Sequence, residues 1–271
     1  MPVCRNSPMT FEVWTLVHLL DRAGAFFPVR HDAHGNTVEM TLGLNDVLRG
    51  KFIVLDGPDG SGKGTQIELL RQKLVAEGLK VVYCRDPGGT AIGDRIREML
   101  LKHDLSAMDV RCEAFLFMAS RAQLVGEMIE PAIKAGKMVL GDRFISATCA
   151  YQGAAGFNVE RIIELGRFAV GDTWPDLTLI LDVPVEEGFR RMGLAACHDG
   201  PSAECRPGNG RADLPAAQPD AMEARPLEFH RKVRQLFLAL PPTYPGRVEV
   251  IDGLAPPEEV HERILKSLTN V

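Results

Sequence analysis

No apolar run in this chain approaches the ~18 residues that a membrane span needs. Its best candidate, residues 13–27, is broken by His18, Asp21 and Arg22. The first residues are poor in basic side chains, with Arg5 alone ahead of Glu12, so neither a secretory signal nor a transit peptide is expected. An excess of positive charge is also missing: 31 Lys and Arg stand against 36 Asp and Glu, a net charge of −5. That balance argues against a general affinity for nucleic acid or for an anionic membrane. Cysteines are few and scattered, at Cys4, Cys84, Cys112, Cys149, Cys197 and Cys205, with Cys84 and Cys149 in apolar segments. They read as reduced thiols of a cytoplasmic protein, not as a disulfide framework.

What is there starts with the apolar run Phe52-Ile53-Val54-Leu55, followed directly by Gly57-Pro58-Asp59-Gly60-Ser61-Gly62-Lys63-Gly64-Thr65. A strand, a glycine-rich turn and a helix in that order form the setting of a phosphate-binding loop. Glycines let the backbone curl so that successive N–H groups point at one phosphate, and the helix adds the positive end of its dipole. Lys63 supplies a mobile charge for the outer phosphates of a nucleoside triphosphate. A glycine-rich turn that binds nothing is the alternative; strand, spacing, lysine and helix together point to nucleotide binding.

From Lys51 onward, strand-like and helix-like segments alternate. Strands are expected at 52–55, 79–84, 138–141, 177–183 and 248–251. Helices are expected at 65–77, 92–101, 110–134 with an interruption near Pro131, 159–170, 186–193, 223–239 and after Pro256-Pro257. Such alternation implies an α/β fold, a five-stranded parallel sheet with helices on both faces and the site along one sheet edge. At 271 residues the chain can bury roughly three quarters of its unfolded surface, so a full core needs no staples. Residues 1–48 stand apart as an N-terminal extension, read as a helix over 11–22 and a hairpin of 26–30 with 37–42 around residues 33–36. Residues 49–271 form the main domain. Within it, 194–222 is a long loop rich in Pro, Gly, Ala and Asp.

Three further clusters follow the glycine loop: Arg85-Asp86-Pro87-Gly88-Gly89-Thr90; Phe117-Met118-Ala119-Ser120-Arg121; and Gly141-Asp142-Arg143-Phe144 with Thr148, Tyr151, Gln152 and Gly153. Together with the strand around 177–183 they resemble thymidylate kinase, from about Lys51 to the end of the chain. The resemblance implies a P-loop NTPase-type fold with a mobile lid, here enlarged at about 190–225. It implies transfer of the γ-phosphoryl group of ATP to dTMP in dTTP synthesis, with ATP and Mg²⁺ as cofactors, and a cytoplasmic homodimer.

Phosphoryl transfer is mostly positioning and charge neutralisation, so the residue types make physical sense. The resemblance places Lys63, Arg143 and Asp59 at the chemistry, Asp59 being the acid near the acceptor 3′-hydroxyl and the metal. Residues 57–65 would hold ATP. Arg143 would clamp the acceptor phosphate, where a planar guanidinium suits better than lysine. Arg85 and Arg97 are similar candidates, although Arg97 reads equally as a solvated helix face. Phe117 and Arg121, four apart on one helix face, would stack on thymine and hydrogen-bond a base oxygen. Thr148 and Tyr151 would read the base and crowd the sugar 2′ position. Asp142 and Thr65 would hold Mg²⁺, largely through water.

Two departures matter. Gly64 and not a hydroxyl follows Lys63, and Gly60 stands where some thymidylate kinases carry an arginine. The missing charge would then come from the lid, where Arg190, Arg191, Arg206, Arg211 and Arg225 are available. Cys197, His198 and Cys205 invite a zinc reading but lack a clear second pair. A kinase for another nucleoside monophosphate and a non-catalytic nucleotide-binding module remain as rival readings.

Overall fold

The computed structural model describes residues 43–102, 108–194 and 220–271, together with three short strands before residue 40. The chain divides into two compact units, Met1–Gly43 and Leu44–Val271. In the first, β1 (Val17–Leu20), β2 (Phe26–His31) and β3 (Thr37–Glu39) form an antiparallel sheet in that order. Strands β2 and β3 pair as Val29 with Glu39 and His31 with Thr37. The helix expected over 11–22 is corrected in its middle: Val17–Leu20 is a strand, paired with β2 from Val17–Val29 to Leu20–Phe26. So short a segment, Val17-His18-Leu19-Leu20, fits either period, and long-range backbone pairing decides it. Residues 11–16 and 21–25, the turn at 33–36 and residues 40–42 lie outside the described residues.

The second unit begins earlier than expected. Helix α1 (Leu44–Leu48) belongs to it, with Leu48 wholly buried beside Ile53, Leu70 and Leu74. The division after residue 48 therefore moves to Gly43. Next come β4 (Phe52–Asp56), α2 (Lys63–Ala76), β5 (Val81–Arg85), α3 (Ala91–Lys102) and α4 (Val110–Leu124). A π-helical turn, Val125–Ile129, joins α4 to α5 (Glu130–Lys134), so the long helix is interrupted one turn before Pro131. The chain continues with β6 (Met138–Asp142), α6 (Ile145–Ala154), α7 (Val159–Val170), β7 (Leu177–Asp182), α8 (Val185–Met192), α9 (Leu227–Ala239), β8 (Arg247–Asp252) and α10 (Pro257–Leu268).

The five core strands are all parallel, in the order β5-β6-β4-β7-β8. Strand β4 is buried at every position, as a central strand covered on both faces must be. Its alternating side chains divide two cores. Ile53 and Leu55 face α1, α2 and α10, whereas Phe52 and Val54 face the cluster contributed by α3, α4, α6, α7 and α9. The chain leaves β4 toward one edge of the sheet and leaves β6 and β7 toward the other. This reversal opens a crevice at the carboxyl end of β4, where the glycine loop begins. Among the described residues no helix is long and apolar enough to cross a membrane.

Truncating Leu48 tests the boundary. Leu48→Ala in the full chain should cost about 2–5 kcal/mol of stability, because it leaves a cavity against α2. Denaturant unfolding checks this; a loss below 1 kcal/mol would place α1 outside the core.

Candidate active site

One cleft of about 900 Å³ runs across the carboxyl edge of the sheet. At one end lie Gly60 to Gln66 of the glycine loop, Arg191 of α8 and residues 253–257 after β8. At the other lie Arg97, Phe117, Arg121, Thr148 and Tyr151. Asp59, Arg85, Asp142 and Arg143 also line it. Gly57 and Pro58, expected with the loop, are not among the residues that line it.

The loop's shape rests on glycines at two close approaches. A Cβ on Gly57, at φ 137°, would lie 2.4 Å from Leu181 O of β7. A Cβ on Gly60, at φ 72°, would lie 2.2 Å from Gly188 O of α8. An arginine at position 60 is thus excluded here by the first turns of α8. Lys63 folds back over the loop: its Nζ donates to Gly57 O at 2.9 Å, Pro58 O at 2.8 Å and Ser61 Oγ at 3.4 Å. Burial, then the Arg143 charge, lowers the Lys63 pKa to about 8, with Asp59, Asp56 and Asp142 pulling the other way.

Arg143 follows directly on β6 and is the one described non-glycine residue with a positive φ, 67°. This left-handed backbone costs about 1 kcal/mol or more and turns the side chain toward the glycine loop. Its Nη1 donates to Asp56 Oδ1 at 3.2 Å and Gly57 O at 3.1 Å, and its Nη2 to Asp59 Oδ1 and, at 3.3 Å, to the Tyr151 hydroxyl. The guanidinium carbon lies 5.1 Å from the Tyr151 ring centre. The Tyr151 hydroxyl in turn donates to Asp59 Oδ2 at 2.6 Å. Burial pushes the Asp59 carboxyl up, but Arg143, then Lys63 and the Tyr151 hydrogen bond, outweigh it and hold the pKa below the usual range.

Arg97 donates to Pro87 O at 2.9 Å and is half-buried in the cleft, so it is not a solvated helix face. Arg121 is buried to 1% exposure, and Phe117 one turn earlier to 9%. Thr148 accepts from Arg121 Nη2 at 3.2 Å. Asp142 carries a hydrogen bond from the Tyr83 hydroxyl at 3.3 Å, and Thr65 is exposed at the first turn of α2. Among the described residues no three His, Cys, Asp or Glu side chains cluster to hold a metal. Of the lid arginines, Arg190 and Arg191 line the cleft, tied to Glu187 at 2.6 and 2.8 Å, while Arg225 is paired with Glu113 at 2.7 Å. Arg206, Arg211, Cys197, His198 and Cys205 lie outside the described residues.

The chain's sequence is matched by the thymidylate kinase family model over residues 55–200. It is 39% identical over 223 residues to a thymidylate kinase of Nitratidesulfovibrio vulgaris, covering 81% of this chain and 96% of that protein. A thymidylate kinase of Pelotomaculum thermopropionicum is 41% identical over 225 residues, covering 83% and 95%. One of Kosmotoga olearia is 39% identical over 216 residues, covering 79% and 93%. This chain belongs to the thymidylate kinase family.

For a thymidylate kinase family member, sequence reasoning passed over three groups. Asp56, wholly buried at the end of β4, accepts from Gly57 N–H at 2.9 Å and Ser146 Oγ at 2.6 Å as well as from Arg143. Gln152 lines the cleft at 1% exposure, and neither its amide nitrogen nor its oxygen has a partner. Asp220, Met222 and Glu223 bring the far side of the lid to the cleft wall. Gln152 follows Tyr151 directly in the sequence, and only its lack of a protein partner singles it out.

The lowered Lys63 pKa has a pH consequence. Below about 8 the side chain is charged and attracts phosphate; above it, the neutral amine does not. ATP affinity should therefore fall as pH rises from 7.5 to 9.5, and Lys63→Met should abolish that slope. Calorimetric titration across this range checks it; a slope equal in both proteins would contradict it.

Proposed function

We propose that this chain transfers the γ-phosphoryl group of ATP to dTMP, giving dTDP and ADP. The observation that carries this reading is the continuity of the cleft: the phosphate loop and the Phe117–Arg121–Thr148–Tyr151 group line one space, with Arg143 between them. A rival reading as a non-catalytic nucleotide module gains no support from a site in which Lys63, Asp59 and Arg143 all meet.

In this mechanism the loop N–H groups between Gly60 and Thr65, which line the cleft, and the start of α2 take the ATP phosphates, and Lys63 exchanges its carbonyl contacts for phosphate oxygens. Arg143, with Arg85 and Arg97, holds the dTMP phosphate, so that one of its oxygens attacks the γ-phosphorus in line as the bond to the ADP oxygen breaks. Asp59, kept ionised by Arg143, receives the acceptor 3′-hydroxyl. Phe117 stacks on the base, and Arg121 and Gln152 meet its polar edge. Without a protein partner at 1% exposure, the Gln152 carboxamide is free to hydrogen-bond a base. Tyr151, locked to Asp59 and Arg143, fills the space beside the sugar 2′ position.

Asp142 and Thr65 offer hard oxygen donors on the cleft wall, which fits Mg²⁺. Bound there, the ion would neutralise charge on the β- and γ-phosphate oxygens. Gly64 contributes no hydroxyl, so the water-held coordination inferred from sequence suits this loop. One of the lid arginines supplies the remaining positive charge, with Arg190 and Arg191 nearest to hand. A homodimer through the long helices is consistent with exposed Phe115 (54%) and Phe168 (90%) on the mutually packed α4 and α7.

A panel of monophosphates with ATP tests the acceptor. Turnover should be fastest with dTMP, with dUMP weaker by about 1–3 kcal/mol in kcat/KM, the worth of one methyl. Gln152→Leu should lower kcat/KM for dTMP about tenfold or more and leave KM for ATP unchanged. Preference for another monophosphate would overturn the reading.

A Cβ at Gly64 meets nothing within 4 Å, so a serine fits there without strain. Gly64→Ser should lower the Mg²⁺ concentration giving half-maximal rate. A Mg²⁺ titration checks this, and an unchanged midpoint would show that residue 64 does not set metal binding.

A further inference from the structure

Arg121 is gripped along one edge and left open along the other. Its Nε donates to Asp86 Oδ2 at 2.7 Å, and its Nη2 donates to the same oxygen, to Phe144 O at 3.0 Å and to Thr148 Oγ1 at 3.2 Å. Its Nη1 reaches only the Met118 sulfur, at 3.1 Å, a weak acceptor. Among its nitrogens, Nη1 is therefore the one without an oxygen partner, on a side chain that lines the cleft. Packing over Phe144, at 5.3 Å, restrains the guanidinium plane further.

Asp86 is itself held by the sheet. It directly follows β5, and its N–H donates to Asp142 O at the end of β6 at 3.0 Å. One residue before Arg121, Ser120 Oγ accepts from Gly88 N–H at 3.1 Å, so the 86–88 segment and α4 are joined at two successive positions. The Asp86 carboxylate is buried to 2% exposure and spends Oδ2 alone on the arginine, leaving Oδ1 without a partner. A bidentate ion pair would use both oxygens. The side-on grip favours direction over strength.

We propose that Asp86 is a positioning residue for the acceptor base: by gripping the Nε–Nη2 edge of Arg121 it aims Nη1 at the base oxygen and so sets affinity and selectivity for dTMP. This rests on Arg121 contacting the base. Asp86 touches neither substrate and acts through the arginine. It also links the two ends of the acceptor, because the adjacent Pro87 O holds Arg97 on the phosphate side.

The test uses the full chain and steady-state kinetics with dTMP, dUMP and ATP. Asp86→Asn should raise KM for dTMP about ten- to hundredfold, the scale of a small misplacement of a binding group. It should narrow the dTMP-to-dUMP preference and leave KM for ATP unchanged. In an Arg121→Met background the same substitution should add nothing, since coupled residues are non-additive. Equal effects of Asp86→Asn with and without Arg121, or an unchanged KM in the folded variant, would overturn the proposal. If Arg121→Met alone leaves KM for dTMP unaltered, the base-contact reading fails and the proposal with it. If Arg121→Met raises KM and the Asp86 variant does not, only the positioning role fails. Should Asp86→Asn fail to fold, as loss of a buried partner can cause, Asp86→Glu decides. It keeps the charge but shifts the carboxylate, so KM for dTMP should still rise, and an unchanged value would overturn the proposal.

Discussion

Two phosphate groups repel at bonding distance, and a protein that brings them together must hold positive charge between them before either arrives. Under the proposed function, that demand falls first on Arg143. Its backbone is bent into the left-handed region, and its side chain is shared among Asp56, Asp59, Gly57 O and the Tyr151 hydroxyl. Four segments meet at this one cation: the end of β4, the glycine loop, the end of β6 and the second turn of α6. Displacing it would loosen the phosphate loop and the acceptor wall together. The acids around it keep an arginine charged in a half-buried place, and under the proposed function they would yield its outer surface to phosphate.

Parallel strand order is what makes this meeting possible. Register pairs Leu55 of β4 with Asp142 of β6, so Asp56 and Arg143 emerge side by side from adjacent strands. Arg85 pairs with the same Asp142 from the other flank, which brings the 85–90 segment to the acceptor end. The geometry of the cleft is thus a consequence of register, and a slip of one residue would send each of these side chains to the wrong face.

Much of this was legible in the sequence because it is local. The apolar core strands, the glycine loop and the amphipathic α7 each declare themselves within a dozen residues. Legibility ended where the deciding partner is distant. Helix α6 was not recognised as a helix, since Ile145–Ala154 is buried along nearly its whole length and shows no polar face to set a period. The strand Val17–Leu20 and the packing of Leu48 depend on contacts that no short window contains. The same limit hid the site's supporting groups. Arg121 was found as a candidate for the base, but not the carboxylate that holds it, because thirty-five residues separate them.

The missing arginine at position 60 has a packing explanation that joins these levels. The first turns of α8 lie directly on the glycine loop: a Cβ at Gly60 would strike Gly188 O, and one at Gly188 would strike Asp59 O at 2.5 Å. Backbone against backbone leaves no room for a long side chain arising from the loop. The same contact seats the base of the lid on the phosphate site, so that Arg190 and Arg191, one turn further along α8, already line the cleft. Both are restrained by Glu187, and Arg191 also donates to Gly253 O at 3.0 Å. Charge excluded from the loop by sterics is therefore carried to the same place by the helix responsible for the exclusion. Close packing of two glycines sets both what the glycine loop lacks and which helix brings arginines to its cleft.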